Sequence, residues 1–135
     1  MSFYSPAALK VHLSGYHYNV DIRFIGLEDL RDFLREKGDM LVRQLENPDI
    51  EEREEFSELL LVVVHLRDEP VARKSFDNLP ESDLNHIVVD VKRPYSLLTR
   101  LWLDCMLYLQ NRYPFLFSLI VRTHPFQAQP SPIVT

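Results

Sequence analysis

The chain has 135 residues, of which 46% are hydrophobic and 26% charged, and its formal net charge is −5. This composition is typical of a soluble globular domain and excludes a disordered chain and, with one cysteine, a disulfide-stapled scaffold. Three glycines against nine prolines argue against a Gly-rich phosphate loop, a dinucleotide-binding fingerprint and most glycine-turned all-β folds.

The N-terminal part predicts a short helix followed by a segment of uncertain type. Ser5 and Pro6 are typical of a helix start, and Gly15 of a helix end. Residues 17–24 alternate in part and are rich in β-formers, so a short extended segment is expected there. An aromatic cluster here is interpreted as packing rather than as a platform for a bound ring; it comprises Phe3, Tyr4, Tyr16, His17 and Tyr18.

A helix is predicted from Leu27, because leucines follow at helical spacing behind an acidic first turn. Gly38 lies inside this pattern and predicts a break or a kink. Residues 47–49 (Asn-Pro-Asp) end the helix, and Asp49 is expected to cap a second helix over residues 50–67.

The second helix becomes apolar on all sides at residues 59–64, which predicts the central, fully buried element of the core. A buried strand is the alternative, because β-branched residues cluster there. His65 falls within this apolar run. We interpret it as a core imidazole with a hydrogen-bond partner, the alternative being a pH-sensitive or catalytic group.

A loop is predicted over residues 71–82, after which Ser82 or Asp83 is expected to cap a further helix. Pro94 is expected to bend or end that helix, because proline clashes with the preceding turn. The next helix carries the strongest amphipathic pattern of the chain. Its predicted apolar stripe comprises Leu97, Leu98, Leu101, Trp102, Cys105, Met106 and Leu109.

Pro114 breaks this pattern, and residues 115–121 are either a terminal helix or a buried strand. Three prolines follow within residues 125–132, which favours an irregular tail. The predicted fold is an all-α, single-domain bundle of four to five helices. Its expected boundaries are residues 1–126 for the helical domain and residues 127–135 for the tail.

The strongest candidate for site chemistry is the pair His86 and Asp90, which are four residues apart and share one helix face. Asp83 lies one turn earlier. With an acidic partner from another helix (Glu54, Glu55 or Glu58), these residues would begin a carboxylate–imidazole metal site. A local ion pair on a solvated face is the simpler interpretation. No His-Glu-x-x-His motif or serine elbow is present, so we expect neither an enzyme nor a cofactor.

Charge divides the chain into two parts. Residues 1–83 hold 18 acids and 10 bases, a net of −8, whereas residues 84–135 hold 2 acids and 5 bases, a net of +3. The acidic part and the dispersed bases disfavour nucleic acid as a partner. No apolar run reaches bilayer length and no leader is visible, so we expect a cytoplasmic chain that does not insert into a membrane. The expected partner is therefore another protein or a second copy of the chain.

The stretch from Arg93-Pro94-Tyr95 through Trp102-Leu103-Asp104 to Arg112-Tyr113-Pro114-Phe115 resembles a soluble C-terminal region of uncharacterised prokaryotic proteins. The resemblance covers residues 77–126 and implies a link to potassium-channel-like membrane proteins. It includes no catalytic or ligand motif. We therefore expect a non-catalytic cytosolic module for protein assembly or regulation. The alternatives are a small-ligand or metal-binding bundle and the cytosolic domain of an ion-channel-like protein.

Overall fold

The computed structural model describes residues 19–51, 53–124 and 127–134. Over these ranges the chain is helical and contains no strand, which confirms the predicted all-α class. The helix predicted at residues 5–15 and the N-terminal aromatic cluster lie outside the described residues. After a 3-10 turn at Ile22–Phe24, the helices are α1 (Leu27–Leu45), α2 (Pro48–Glu51), α3 (Glu54–Ala72), α4 (Glu81–Arg112) and α5 (Pro114–Thr123).

The extended segment expected near residues 17–24 is wrong at Ile22–Phe24, which form the 3-10 turn, whereas Asp21 before the turn has extended backbone angles. Asp21 caps the 3-10 turn, since its carboxylate accepts a hydrogen bond of 3.0 Å from the backbone N–H of Arg23. A short polar side chain that bonds its own backbone competes with strand pairing. The described residues also offer no partner strand, so the turn is the more stable choice.

Helix α1 runs through Gly38 without the predicted break, and α1 packs against α3. Gly38 is buried there, and a Cβ at this position would lie 2.8 Å from Cδ of Arg67. The absence of a side chain therefore leaves room for the Arg67 side chain of α3. Packing between the helices outweighs the modest helix-propensity cost of glycine.

The start and end of α3 differ from the prediction. Asn47, not Asp49, is the capping residue: its side-chain oxygen accepts from the N–H of Asp49 and begins the short α2. The long helix then begins at Glu54 instead of residue 50 and continues past Arg67 to Ala72. Pro70 lies inside its last turn and is fully buried, so the lost backbone hydrogen bond falls where the helix is about to end.

Helix α4 is one continuous helix of 32 residues, so Pro94 does not end it, as one of the two predicted outcomes required. Pro94 is buried within it, and burial of the ring offsets the missing hydrogen bond to the carbonyl of Asp90. The predicted caps are wrong as well. Pro80 provides the carbonyl that receives the first N–H groups, while Ser82 and Asp83 lie inside the first turn.

Residues 59–66 are helical, as the preferred interpretation predicted, but they are not buried on all sides. Leu59, Leu60 and Val62 are buried, whereas the Leu61 residue is 60% exposed. The stripe predicted on α4 is likewise shifted: Leu103 is 1% exposed and Leu98 is 54% exposed.

The chain divides into two compact units, one over residues 17–99 and one that includes residues 100–135. Helix α4 continues from the first into the second. In the part of the chain that the structure describes, no helix combines the length and apolarity required of a membrane span. Residues 127–134 form neither helix nor strand. The boundaries 1–126 and 127–135 stay a prediction.

Candidate metal centre

At the end of α3 and the start of α4, polar side chains of the two helices face each other in three successive pairs. Each residue further along α4 faces a residue nearer the start of α3. The two helices therefore run in opposite directions. We call these six residues the polar seam. From the connecting loop inward, its pairs are Arg73 with Asp83, Glu69 with His86, and His65 with Asp90.

The sequence places these groups by simple helical spacing. His65 and Glu69 are four residues apart on α3, as His86 and Asp90 are on α4, and Arg73 follows Glu69 by four residues, directly after the last residue of α3. Residues four apart lie on one helix face, one turn above the other. Each helix therefore presents one imidazole and one carboxylate to the other.

Four donor atoms converge at the centre of the seam. Nε2 of His86 lies 3.2 Å from Oδ2 of Asp90 and 3.5 Å from Oε1 of Glu69. Nε2 of His65 lies 3.5 Å from the same Asp90 oxygen and 3.8 Å from the same Glu69 oxygen. Ligand atoms of His65, Glu69 and Asp90 all lie within 4.8 Å of one another. His65, Glu69 and Asp90 thus form a group of three possible ligands, and Nε2 of His86 lies close to the two carboxylate oxygens of that group.

Asp90 is the buried member of this group, with a side chain only 4% exposed, whereas both imidazoles are about half-exposed. Its Oδ2 atom has no hydrogen-bond partner among the described residues. Both imidazole nitrogens are within ion-pair distance of that oxygen, but neither is oriented to donate to it. Burying a carboxylate oxygen without a partner costs about 1–3 kcal/mol or more, so this atom needs an explanation.

The outer end of the seam is held by Arg73. Its guanidinium donates to both oxygens of Asp83, at 2.6 and 2.9 Å, and to Oε2 of Glu69 at 2.9 Å. These hydrogen bonds lower the pKa of the Asp83 and Glu69 carboxyls and raise the pKa of Arg73. For Glu69, His86 adds to the lowering. Both carboxylates are consequently kept ionised in the folded protein.

The structure brings together two of the three residues singled out from the sequence. His86 and Asp90 lie side by side, but Asp83 pairs with Arg73 at the outer end of the seam. The acidic partner on α3 is Glu69, not one of the glutamates at the start of that helix.

Sequence reasoning missed His65, which is an exposed residue and not the expected core imidazole. Its spacing to Glu69 is the same as that of His86 to Asp90. That repeated i,i+4 pairing of an imidazole with a carboxylate was the available signal.

A second feature concerns α5, whose apolar side chains were expected to be buried if they formed a strand. The segment is a helix, and three of its large apolar residues are exposed: Phe115 at 90%, Leu116 at 52% and Leu119 at 43%. Their spacing places them on one side of the helix. We call these three residues the apolar face.

Comparison with known proteins was informative at the level of the family. Residues 5–122 match the family model described as "Uncharacterized protein MJ1433, C-terminal helical domain". The chain belongs to that family. It is 44% identical over 117 residues to uncharacterized protein MJ1433 of Methanocaldococcus jannaschii, an alignment that covers 87% of this chain and 47% of the relative. The chain thus spans about half the length of the curated relative it matches, and no solved structure matches it.

Membership in the MJ1433 C-terminal helical domain family confirms the predicted likeness to uncharacterised prokaryotic proteins at the family level. Neither matching description names a channel, and the link to potassium-channel-like proteins stays a prediction. The family description is that of a helical domain, which agrees with the all-α fold of the described residues. Among the described residues, the polar seam is therefore the feature that points to a function.

Proposed function

We propose that this chain is a non-catalytic helical module that binds one divalent metal ion in the polar seam, between α3 and α4. The observation that carries the proposal is Oδ2 of Asp90, a buried carboxylate oxygen with no hydrogen-bond partner among the described residues, next to two imidazole nitrogens. A cation bound to this oxygen would replace the lost hydration. Imidazoles and carboxylates on facing helices are a known way to build metal sites inside helical bundles.

The charges of the seam fit a divalent ion. Arg73 and Asp83 neutralise each other, which leaves the two carboxylates of Glu69 and Asp90 at the centre. With neutral imidazoles, as metal ligation requires, the four donors carry a charge of about −2. One divalent cation would bring the group to neutrality. An ion held by both helices would also fasten them together, which is a structural or regulatory role and needs no reaction chemistry.

Isothermal titration of the full chain, stripped beforehand with a chelator, tests this function with zinc, calcium and magnesium chlorides in separate experiments. We expect one equivalent of at least one ion to bind. At a concentration 100 times its dissociation constant, the ion should raise the free energy of unfolding by about 2.7 kcal/mol. The double variant His65→Ala/His86→Ala should show neither effect.

The matched control is His124→Ala, which removes a histidine that lies outside the seam. This variant should bind the ion like the unsubstituted chain. Absence of binding by the unsubstituted chain, or equal binding by the seam double variant, would contradict the proposal.

The apolar face of α5 supports a second function, assembly with a second copy of this chain. An exposed cluster of large apolar residues on one helix side is characteristic of interaction surfaces. Charge favours a second copy as the partner: residues 17–99 hold 19 acids and 11 bases, whereas residues 100–135 hold 1 acid and 3 bases. The unit that carries the apolar face is thus basic, and the other unit is strongly acidic. Two copies can pair these opposite charges reciprocally.

Sedimentation velocity over a range of concentrations tests the assembly. We expect the unsubstituted chain to dimerise, and Phe115→Asp to remain monomeric because a charge replaces an exposed apolar side chain. Phe24→Asp is the matched control, since Phe24 is also exposed, at 86%, but lies outside the apolar face. A monomeric unsubstituted chain, or a dimer that Phe115→Asp leaves unchanged, would overturn this second function.

The remaining expectations accompany these proposals as predictions. They are a cytoplasmic location, the absence of nucleic acid as a partner, and the absence of an organic cofactor. Attachment to a potassium-channel-like membrane protein belongs with them.

A further inference from the structure

We propose that Arg73 is the specificity-determining residue of the polar seam. By occupying one oxygen of Glu69, it leaves that residue a single oxygen for an ion and selects a four-coordinate transition ion of the zinc class over calcium and magnesium. This inference rests on the proposed metal-binding function and adds the class of ion and the residue that selects it.

The first step concerns how Arg73 is held. Its side chain is only 16% exposed, and two hydrogen bonds to Asp83 fix the plane of the guanidinium. From that position Nη1 donates to Oε2 of Glu69 at 2.9 Å. A paired guanidinium is a rigid fork, so it orients its partner more strictly than a lysine would.

Arg73 leaves one oxygen of Glu69 free to bind an ion. With Oε2 engaged by Arg73, only Oε1 faces the two imidazoles, at 3.5 and 3.8 Å. Glu69 is therefore prepared to give one oxygen to an ion. The donor set becomes two imidazole nitrogens, Oε1 of Glu69 and Oδ2 of Asp90.

The third step compares this donor set with what each ion needs. Zinc takes four ligands, and its bonds to nitrogen and oxygen are about 2.0–2.2 Å long, so that such ligands at tetrahedral angles are about 3.3–3.6 Å apart. The four imidazole–carboxylate separations here are 3.2, 3.5, 3.5 and 3.8 Å. These four imidazole–carboxylate separations, out of the six of a tetrahedral site, are within a few tenths of an ångström of that spacing, and the ligand atoms of His65, Glu69 and Asp90 all lie within 4.8 Å of one another.

Calcium and magnesium need a different site. Calcium takes about six to eight oxygens, often with a carboxylate giving both of its oxygens, and magnesium prefers about six oxygens including several waters. Two imidazoles already disfavour both ions, and Arg73 removes the second Glu69 oxygen that calcium would use. Releasing that oxygen should weaken zinc binding and relax the discrimination against calcium.

Competition titrations on the full chain with zinc and calcium test this inference, using Arg73→Gln and Arg73→Lys. We expect Arg73→Gln to lower zinc affinity by about ten- to a hundredfold, the usual effect of removing a residue that orients a ligand. The ratio of zinc to calcium affinity should fall as well. Arg73→Lys should restore part of the zinc affinity, because it keeps the charge but loses the fork.

The control is Arg67→Gln, which removes an arginine of α3 that pairs with Asp68 outside the seam. It should leave the affinity ratio unchanged. The ratio of zinc to calcium affinity is the decisive measurement, because a general loss of stability weakens the binding of both ions and leaves this ratio unchanged. If Arg73→Gln fails to fold, the ratio of zinc to calcium affinity is measured on Arg73→Lys instead, and that measurement tests the inference.

The outcomes separate the two levels of the proposal. Zinc binding with an unchanged ratio in the Arg73 variants would overturn the role of Arg73 and leave the metal-binding function intact. Preferential binding of calcium or magnesium by the unsubstituted chain would overturn the ion class only. Binding of no ion by that chain would overturn the metal-binding function itself.

Discussion

The polar seam and the apolar face of α5 depart from the usual division of residues in opposite ways. In the seam, a carboxylate is placed inside without a hydrogen-bond partner among the described residues. On α5, a phenylalanine, Phe115, is 90% exposed to solvent. Each feature is one that folding alone does not favour. A binding site can therefore be recognised by either kind of misplaced group.

The two departures differ in what they imply. An exposed apolar side chain leaves folding almost unaffected, since much of any protein surface is apolar. A buried, unpartnered carboxylate oxygen lowers stability, by about 1–3 kcal/mol or more. Marginal stability makes such a loss large compared with the total. The seam is therefore the stronger indication of function, because it persists in spite of its cost.

The substitution with the largest expected effect removes a buried apolar side chain beside the seam. It tests whether apolar packing, and not the seam itself, stabilises this region. Ile87 lies next to His86 on α4 and is 1% exposed. Ile87→Ala should reduce the free energy of unfolding by about 2–5 kcal/mol, because it removes buried methyl groups and leaves a cavity. Urea denaturation followed by circular dichroism measures this loss.

The control for this substitution is Val89→Ala on the same helix, where the Val89 residue is 53% exposed. Its effect should stay within about 0.5 kcal/mol. A loss below about 1 kcal/mol for Ile87→Ala would show that the core beside the seam is not closely packed and does not stabilise this region.

In metal-free protein, the buried carboxylate of Asp90 is expected to lower the free energy of unfolding. Asp90→Leu should leave the free energy of unfolding unchanged or raise it by about 1–3 kcal/mol, because the buried carboxylate is replaced by an apolar group. The two imidazoles that face Asp90 are about half-exposed, so water can solvate them once the carboxylate is gone. Thermal and urea unfolding after treatment with a chelator measure the change.

Asp68→Leu serves as the control here, since Asp68 lies on α3 with a side chain that is 60% exposed. It should alter stability by less than about 0.5 kcal/mol. If Asp90→Leu instead destabilised the metal-free chain by more than about 1 kcal/mol, Asp90 would be stabilising the fold. Metal binding would then not be needed to explain why Asp90 is buried.

Helix positions could be predicted from the sequence better than helix ends, and the prolines show why. Pro48 and Pro114 stand at the first positions of α2 and α5, where proline is favourable. Pro70 and Pro94 lie inside helices and are buried. The interior prolines lose a backbone hydrogen bond, whereas those at the first positions do not. Burial decides whether a helix continues, and burial depends on tertiary packing that a local pattern does not contain.

Half of the candidate site could be predicted for a similar reason. His86 and Asp90 were found because helical spacing alone places them together. His65 and Glu69 have the same spacing, but which pair of α3 meets which pair of α4 depends on how the helices are aligned across the loop over residues 73–80. That alignment is a property of the folded hairpin.

The smallest expected effect contrasts the histidines of the seam with His124, which follows α5. Its ring packs against Trp102, with centroids 5.1 Å apart, and burial lowers its pKa from the ordinary value of 6.5. The unfolded chain therefore binds a proton more readily than the folded chain. This contribution makes the protein less stable as the pH falls below about 6.5 and through the lowered pKa of the folded state.

Comparison of the unsubstituted chain with His124→Phe isolates this effect, because phenylalanine keeps an aromatic ring against Trp102 and does not titrate. The free energy of unfolding should decrease less in the variant as the pH is lowered from neutral, and the two chains should run parallel at higher pH. The seam histidines face carboxylates and are present in both chains, so their contribution cancels in the difference. Identical pH profiles would mean that His124 ionises as easily in the folded chain as in the unfolded one. The contrast between an imidazole against an indole ring and imidazoles among carboxylates would then have no measurable consequence for stability.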